Sequence, residues 1–152
     1  MQFALHLTLS ERYGPDSNMA RVLREATHLV GLARDYGFDA VMSDEHILSH
    51  PNQRPAPIPA LSYLAASAEG MYLGTSVLLL PMHAPVQVAE DFAVLDAITN
   101  GRAILGVGMG YREEEFAAFG VSPRERVGRV YESLRLIREL WTRDEVEFEG
   151  KY

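Results

Sequence analysis

Apolar positions along this chain recur with two periods, and the two alternate. Residues 3–9 set Phe3, Leu5, Leu7 and Leu9 against Ala4, His6 and Thr8. A period of two belongs to a strand with one face on a core. Residues 10–17 are polar, contain Gly14-Pro15-Asp16-Ser17, and read as a loop. The next apolar set is Met19, Val22, Leu23, Ala26, Leu29, Val30 and Ala33. That spacing predicts a helix, with Ser17 or Asn18 as its N-cap and Gly37 as its stop.

The same couple recurs three more times. Residues 39–43 predict a second strand, followed by a loop with Pro51, Pro55, Pro57 and Pro59 and a helix near 60–69. Residues 72–80 predict a third strand ended by Pro81, and a helix over about 85–99 stops at Asn100-Gly101. Residues 103–109 predict the fourth strand. A short acidic helix over 112–119 then precedes a long one over about 123–141. Ser122-Pro123-Arg124-Glu125 predicts a capping box for the long helix. Its buried face is expected to carry Val127, Val130, Tyr131, Leu134, Ile137 and Trp141.

Four βα units in order predict an α/β domain over 1–152 with parallel strands and helical crossovers. The pattern admits an open doubly wound sheet or a barrel. A complete (β/α)₈ barrel takes about 250 residues. Residues 145–152 alternate like a further strand and stop without a terminal element. The expectation is therefore the first half of a (β/α)₈ TIM-type barrel, a truncated (β/α)₄ unit.

Charge and composition narrow the partners. A net charge of -7 opposes a general nucleic-acid or anionic-membrane surface, but not a local basic pocket for a phosphate. There is no cysteine, which removes disulfides, thiolate metal sites and a cysteine nucleophile. No stretch approaches the roughly 20 apolar residues of a membrane span, and the N-terminus lacks the features of a signal peptide. A cytoplasmic protein is expected.

Candidate chemistry gathers at predicted strand ends. Glu45-His46 follows the second strand, at the edge where parallel α/β folds build sites. A carboxylate can tune an imidazole, yet adjacent residues of a strand point to opposite faces, so the two need not touch. Gly106-Val107-Gly108-Met109-Gly110 departs from G-x-G-x-x-G and lies on the fourth strand, so it reads as backbone in close approach to a neighbour or a ligand. His6, His28, His50 and His83 show no zinc-ligand spacing. His28 is expected on a surface, while His6 or His83 could line a pocket. Glu113-Glu114-Glu115 reads as a solvated helix start, and Arg124, Arg126 and Arg129 as a charged outer surface.

These segments together resemble the bacterial luciferase-like superfamily. The resemblance rests on Gly37-Phe38-Asp39-Ala40-Val41 running into Glu45-His46, and on Leu73-Gly74-Thr75-Ser76-Val77. It continues through Leu95-Asp96, Asn100-Gly101-Arg102, Gly106 to Tyr111, Phe119-Gly120-Val121, Glu125-Arg126 and Leu140-Trp141. The last residues, Phe148-Glu149-Gly150-Lys151-Tyr152, resemble the strand that opens the family's insertion, here at about 145–152.

The resemblance implies a (β/α)₈ barrel that binds FMN, reduced flavin or the deazaflavin coenzyme F420 at its C-terminal mouth. It implies an oxidoreductase, often a monooxygenase, acting on small organic substrates. His46 matches the family's active-site histidine and Glu45 the acidic residue before it. Ser76, Val77, Gly108 and Gly110 would shape the ring site, with a non-proline cis peptide at Ser76-Val77. Tyr111 would line the mouth. In the family's deazaflavin-dependent sugar-phosphate dehydrogenases a glutamate follows the fourth-strand glycines; Tyr111 stands there in this chain. The cofactor phosphate is held in the family largely by later barrel units. Two other readings remain beside this one: a noncatalytic flavin-binding or inert barrel fragment, and a Rossmann-type dehydrogenase, which lacks its glycine motif after the first strand. Family members commonly dimerise through outer helices, so a homo-oligomer is expected. The chain alone, with open strand edges, is expected to be weakly stable or associated.

Overall fold

Runs of Ala, Val, Leu and Thr, too short for helices and flanked by glycine or polar turns, become the strands of one parallel sheet. In the computed structural model, which describes residues 1–152, the strands are β1 (Ala4–Leu7), β2 (Glu11–Arg12), β3 (Ala40–Ser43), β4 (Asn52–Gln53), β5 (Tyr72–Thr75), β6 (Leu78–Leu79), β7 (Ala103–Ile104) and β8 (Val107–Gly108). The helices are α1 (Met19–Asp35), α2 (Pro57–Leu64), α3 (Pro85–Thr99), α4 (Glu113–Ala118) and α5 (Arg126–Thr142), with 3₁₀ turns at Leu80–Met82 and Pro123–Glu125. The main sheet runs β1-β3-β5-β7, all parallel and in sequence order. This is the expected α/β half-barrel order. No helix is long and apolar enough to cross a membrane.

The register divides the sheet's faces. Leu5, Val41, Leu73 and Ala103 align across the strands. They pack with Val30, Leu61, Leu64, Leu80 and Leu95 in the core between sheet and helices. The alternate rung is His6, Met42, Gly74 and Ile104. That face is open, and Phe3, Tyr72 and Ile104 are exposed.

The third and fourth strands are interrupted where single strands over 72–80 and 103–109 were expected. β5 ends at Thr75 and resumes as β6, and β7 resumes as β8, with Leu78 opposite Val107 and Leu79 opposite Gly108. Thr75 bridges the gap. Its Oγ1 donates to the Gly106 carbonyl (2.8 Å) and accepts from the Gly106 amide (3.2 Å). A β-carbon at residue 106 would collide with the Thr75 carbonyl oxygen, so only glycine lets the strands approach this closely. The Ser76-Val77 peptide is cis, as the resemblance implied, and so is His50-Pro51.

Other expectations shift in detail. Asn18 caps α1, its Oδ1 accepting from the Arg21 amide at 2.9 Å. The loop over 10–17 contributes β2, which pairs antiparallel with β4. Two such short polar strands carry no periodicity to detect. The second helix starts at Pro57, because a proline at the first helical position is preorganised for it. The capping box does not form: Ser122 makes no side-chain cap, and Glu125 pairs with Arg129 at 3.1 Å. The face of α5 is rotated from the expected one. Ser133 and Ile137 are buried with Val130 and Leu140 beside them, whereas Val127, Tyr131 and Trp141 are exposed. α5 packs on α3 and on the turn at Leu80–Met82, and that contact selects the face. The Trp141 indole still donates to the Ala89 carbonyl at 3.0 Å.

Residues 145–152 form no strand, contrary to expectation. With no strand pairing there, their backbone donors turn to α5. Glu132 accepts from the amides of Lys151 and Tyr152, both at 2.8 Å. Arg129 lies over the Tyr152 ring and Arg135 over Phe148. The amides of Lys151 and Tyr152, then Arg135 and Arg129, hold the Glu132 carboxyl below the ordinary glutamate value. A carboxylate depressed in the folded state stabilises above its unfolded pKa, and that contribution is lost as pH falls through the folded one. The clasp is therefore expected to hold at neutral pH and to release below the ordinary glutamate range, about pH 4. Tyr152 ring resonances followed by NMR through an acid titration check this; Glu132→Gln is expected to remove the pH-dependent step.

Candidate active site

Glu45 and His46 are neighbours that turn apart, and each meets a different partner. His46 donates from Nδ1 to Glu115 Oε1 at 3.1 Å. The same oxygen accepts from the Ile47 amide at 3.0 Å and from Arg112 Nη1 at 3.3 Å. Arg112 also donates to the Ile47 carbonyl at 3.3 Å. Glu115 is 0% exposed. A carboxylate accepts only, so its bond to Nδ1 fixes the ring and leaves Nε2 directed elsewhere. Tyr111 packs edge-on against the His46 ring, with centroids 6.1 Å apart and planes at 84°.

Glu115 overturns the reading of Glu113-Glu114-Glu115 as one solvated face. Its α4 neighbour Phe116 is buried beside it, while Glu113 and Glu114 are exposed. A six-residue helix shows too little periodicity to reveal which glutamate turns inward. The traces in sequence are Arg112 at i−3 and the apolar Phe116. Of the three arginines, Arg124 is exposed as expected, but Arg126 reaches the Gly110 carbonyl at 3.5 Å and Arg129 is half-buried.

Glu45 is buried too. Its Oε2 accepts from the Leu79 amide at 2.7 Å, and His83 Nε2 lies 3.1 and 3.0 Å from its two oxygens. Asp44 pairs with Arg54, tying the loop after β3 at both ends. Leu48 turns that loop with φ +51. The loop encloses a cavity of about 430 Å³ whose lining includes Tyr13, Glu45, His46, His50 and Arg54. A second cavity of about 450 Å³ lies beside α5, lined by His83, Glu132, Ser133, Phe148 and Tyr152 among others. It does not include His46, and neither cavity is lined by Ser76, Val77, Gly108 or Gly110. No group of His, Asp and Glu is arranged to hold a metal ion.

Ser76, Val77, Gly108 and Gly110 follow the ends of β5 or lie along and beyond β8, on the edge where His46 follows β3. Val77 and Ser76 are exposed there, and a β-carbon at Gly108 would occupy the place of Val77 Cγ2. Gly110 has φ +72, a conformation that side chains disfavour. Ser76 and Val77 thus form a low ridge beside bare glycine backbone. His6 reaches this edge through its Nε2, 3.2 Å from the Ser76 carbonyl.

The family model for luciferase-like monooxygenases matches residues 1–152. The chain belongs to this family. The luciferase-like chain is 35% identical over 150 residues to an F420-dependent glucose-6-phosphate dehydrogenase of Amycolatopsis mediterranei (strain U-32), covering 94% of this chain and 43% of that protein. It superposes on the monooxygenase RslO1 from Streptomyces bottropensis with TM-score 0.90 and 30% identity, covering 100% of this chain and 46% of the other. The FMN complex of the oxygenating constituent of 3,6-diketocamphane monooxygenase from Pseudomonas putida shares the fold, with TM-score 0.87 and 23% identity over 100% of this chain and 42% of that one. The chain spans less than half the length of each.

The difference between adjacent glutamates is measurable. Glu115→Gln is expected to lower stability by about 2 kcal/mol, because a buried charged acceptor loses its charge-assisted bonds. Glu114→Gln, at an exposed position, is expected to stay within about 0.5 kcal/mol of the parent. Urea unfolding of the two variants checks this.

Proposed function

We propose that the whole protein is an oxidoreductase that uses reduced FMN or coenzyme F420 on a small organic substrate, acting as a monooxygenase. The observation that carries this reading is how the acids at the mouth are committed. Glu115 is spent on His46, Ile47 and Arg112, and Glu45 on Leu79 and His83. Tyr111, 72% exposed, stands where the sugar-phosphate dehydrogenases place a glutamate. The group left to exchange a proton with a substrate is the His46 imidazole, through Nε2.

When bound, the cofactor supplies the reducing electrons. The residues of this chain do the rest. Ser76, Val77, Gly108 and Gly110 seat the ring face. His46 takes or returns a proton at Nε2, while Glu115 keeps Nδ1 protonated and holds the ring still. Tyr111 walls the mouth and offers a phenol to a substrate oxygen.

A second reading is favoured by the dehydrogenase relative: hydride transfer to F420 without oxygen, with Tyr111 in place of the carboxylate acid. Its drawback is physical, since a phenol is a weaker acid than the carboxylic acid it replaces. The two readings separate on the full-length protein. The monooxygenase reading expects oxygen from O₂ to enter a ketone or aromatic substrate when reduced cofactor is supplied. Oxygen-independent reduction of F420 by a sugar phosphate would replace it with the second.

His46→Ala in the full-length protein is expected to lower kcat about a hundredfold or more, while FMN or F420 affinity stays within about threefold. An imidazole at the reacting atoms acts in the transition state, whereas the ring is held by many contacts. Steady-state kinetics and cofactor titration check both halves.

A further inference from the structure

Glu45 follows the same strand as His46, yet its carboxylate does not touch that ring's partner. It is one of the most buried charged groups in the chain, only 6% exposed, and its hydrogen bonds all run to one segment. At one end of that segment the Leu79 amide donates to Oε2 at 2.7 Å. At the other end His83 Nε2 reaches both oxygens, at 3.1 and 3.0 Å. One carboxylate on the second βα loop thus brackets residues 79–83 of the third.

That segment carries the ring-side ridge. Leu79 is the last residue of β6 and pairs in register with Gly108 of β8. Val77 lies two residues before it, at the spot where a Gly108 side chain would have to go. The other supports of β6 are the Leu78 amide on the Gly106 carbonyl, at 2.9 Å, and the buried side chains of Leu78 and Leu80. Each of these fixes the ridge toward the fourth strand or the core. From the second-strand side, where the His46 loop lies, the Ser43 carbonyl of β3 holds the Ser76 amide at 2.8 Å, and the Glu45 side chain holds the far end of the segment.

We propose that Glu45 is a positioning residue for the cofactor seat: through the Leu79 amide and His83 it sets the distance between the Ser76–Val77 ridge and the loop that carries His46. His83 completes this clasp, which gives the second imidazole near the mouth a use that proton transfer does not need. The inference rests on the cofactor reading above. Adjacent residues thereby divide the work. His46 acts on turnover, and Glu45 acts on how the ring is held.

The test uses full-length protein with three variants, Glu45→Ala, Glu45→Gln and His83→Gln. Two quantities are read: hydrogen exchange of the Leu79 amide, and affinity for FMN and for F420, each titrated separately. In Glu45→Ala the Leu79 amide is expected to exchange at least about tenfold faster, and the cofactor that binds wild type is expected to bind about tenfold more weakly, the usual scale of a lost charge-assisted bond. Glu45→Gln keeps the shape and an acceptor. It is expected to show both effects at about threefold, and it carries the test if the alanine variant does not fold. His83→Gln is expected to match Glu45→Gln in affinity. Faster Leu79 exchange with unchanged affinity would reduce Glu45 to a purely structural bond and overturn the proposal. Unchanged exchange in both Glu45 variants would overturn the clasp itself. Wild-type protein that binds neither cofactor would overturn the cofactor reading and this role with it, and the exchange data would still tell whether the clasp exists.

Discussion

Oxygen Oε1 of Glu115 joins two pieces of chain that no strand pairing connects, through three donors. It receives the His46 ring, the Ile47 amide and the Arg112 guanidinium. The first two belong to the loop after β3, and the last lies just before α4. A buried carboxylate is costly unless donors meet it, and here a cation, an amide and an imidazole meet Oε1 while the buried Oε2 has no hydrogen-bond partner. The same contacts that make the burial tolerable also orient the imidazole. Structure and chemistry are thus set by one group, and the placement of the mouth loop follows from it.

The sheet beneath explains why that group can work. Parallel strands in sequence order bring the ends of β3, β5 and β7 to one edge, with β6 and β8 continuing past it. Thr75 and Gly106 replace a stretch of ladder with a side-chain bridge between the β5–β7 and β6–β8 pairings. At this break Ser76 and Val77 are exposed, with Val77 beside Gly108. His46 and the ridge lie at one shared edge of the sheet.

Much of this order is legible in the sequence because it rests on local periodicity. The helix ending at Gly37, the turn at Asn100-Gly101 and the four strand positions follow from spacing and from residues that tolerate positive φ. Contacts between distant segments are not legible. Nothing local tells that Glu115 faces inward while Glu114 does not, or that α5 buries Val130 and Ile137 in preference to Tyr131. The tail over 145–152 alternates like a strand, but alternation becomes a strand only where a neighbour supplies the hydrogen bonds. The pairing of Glu45 with His83 spans 38 residues and joins two loops, beyond any spacing rule.

The account depends most on the state of one ring. The ¹⁵N NMR spectrum of the His46 imidazole, recorded at alkaline pH in the full-length protein and in its Glu115→Gln variant, reads that state directly. The account predicts a proton on Nδ1 and a free lone pair on Nε2 in the parent, with that preference weakened or lost in the variant. A parent ring protonated on Nε2, or a tautomer balance that Glu115→Gln leaves unchanged, would contradict it.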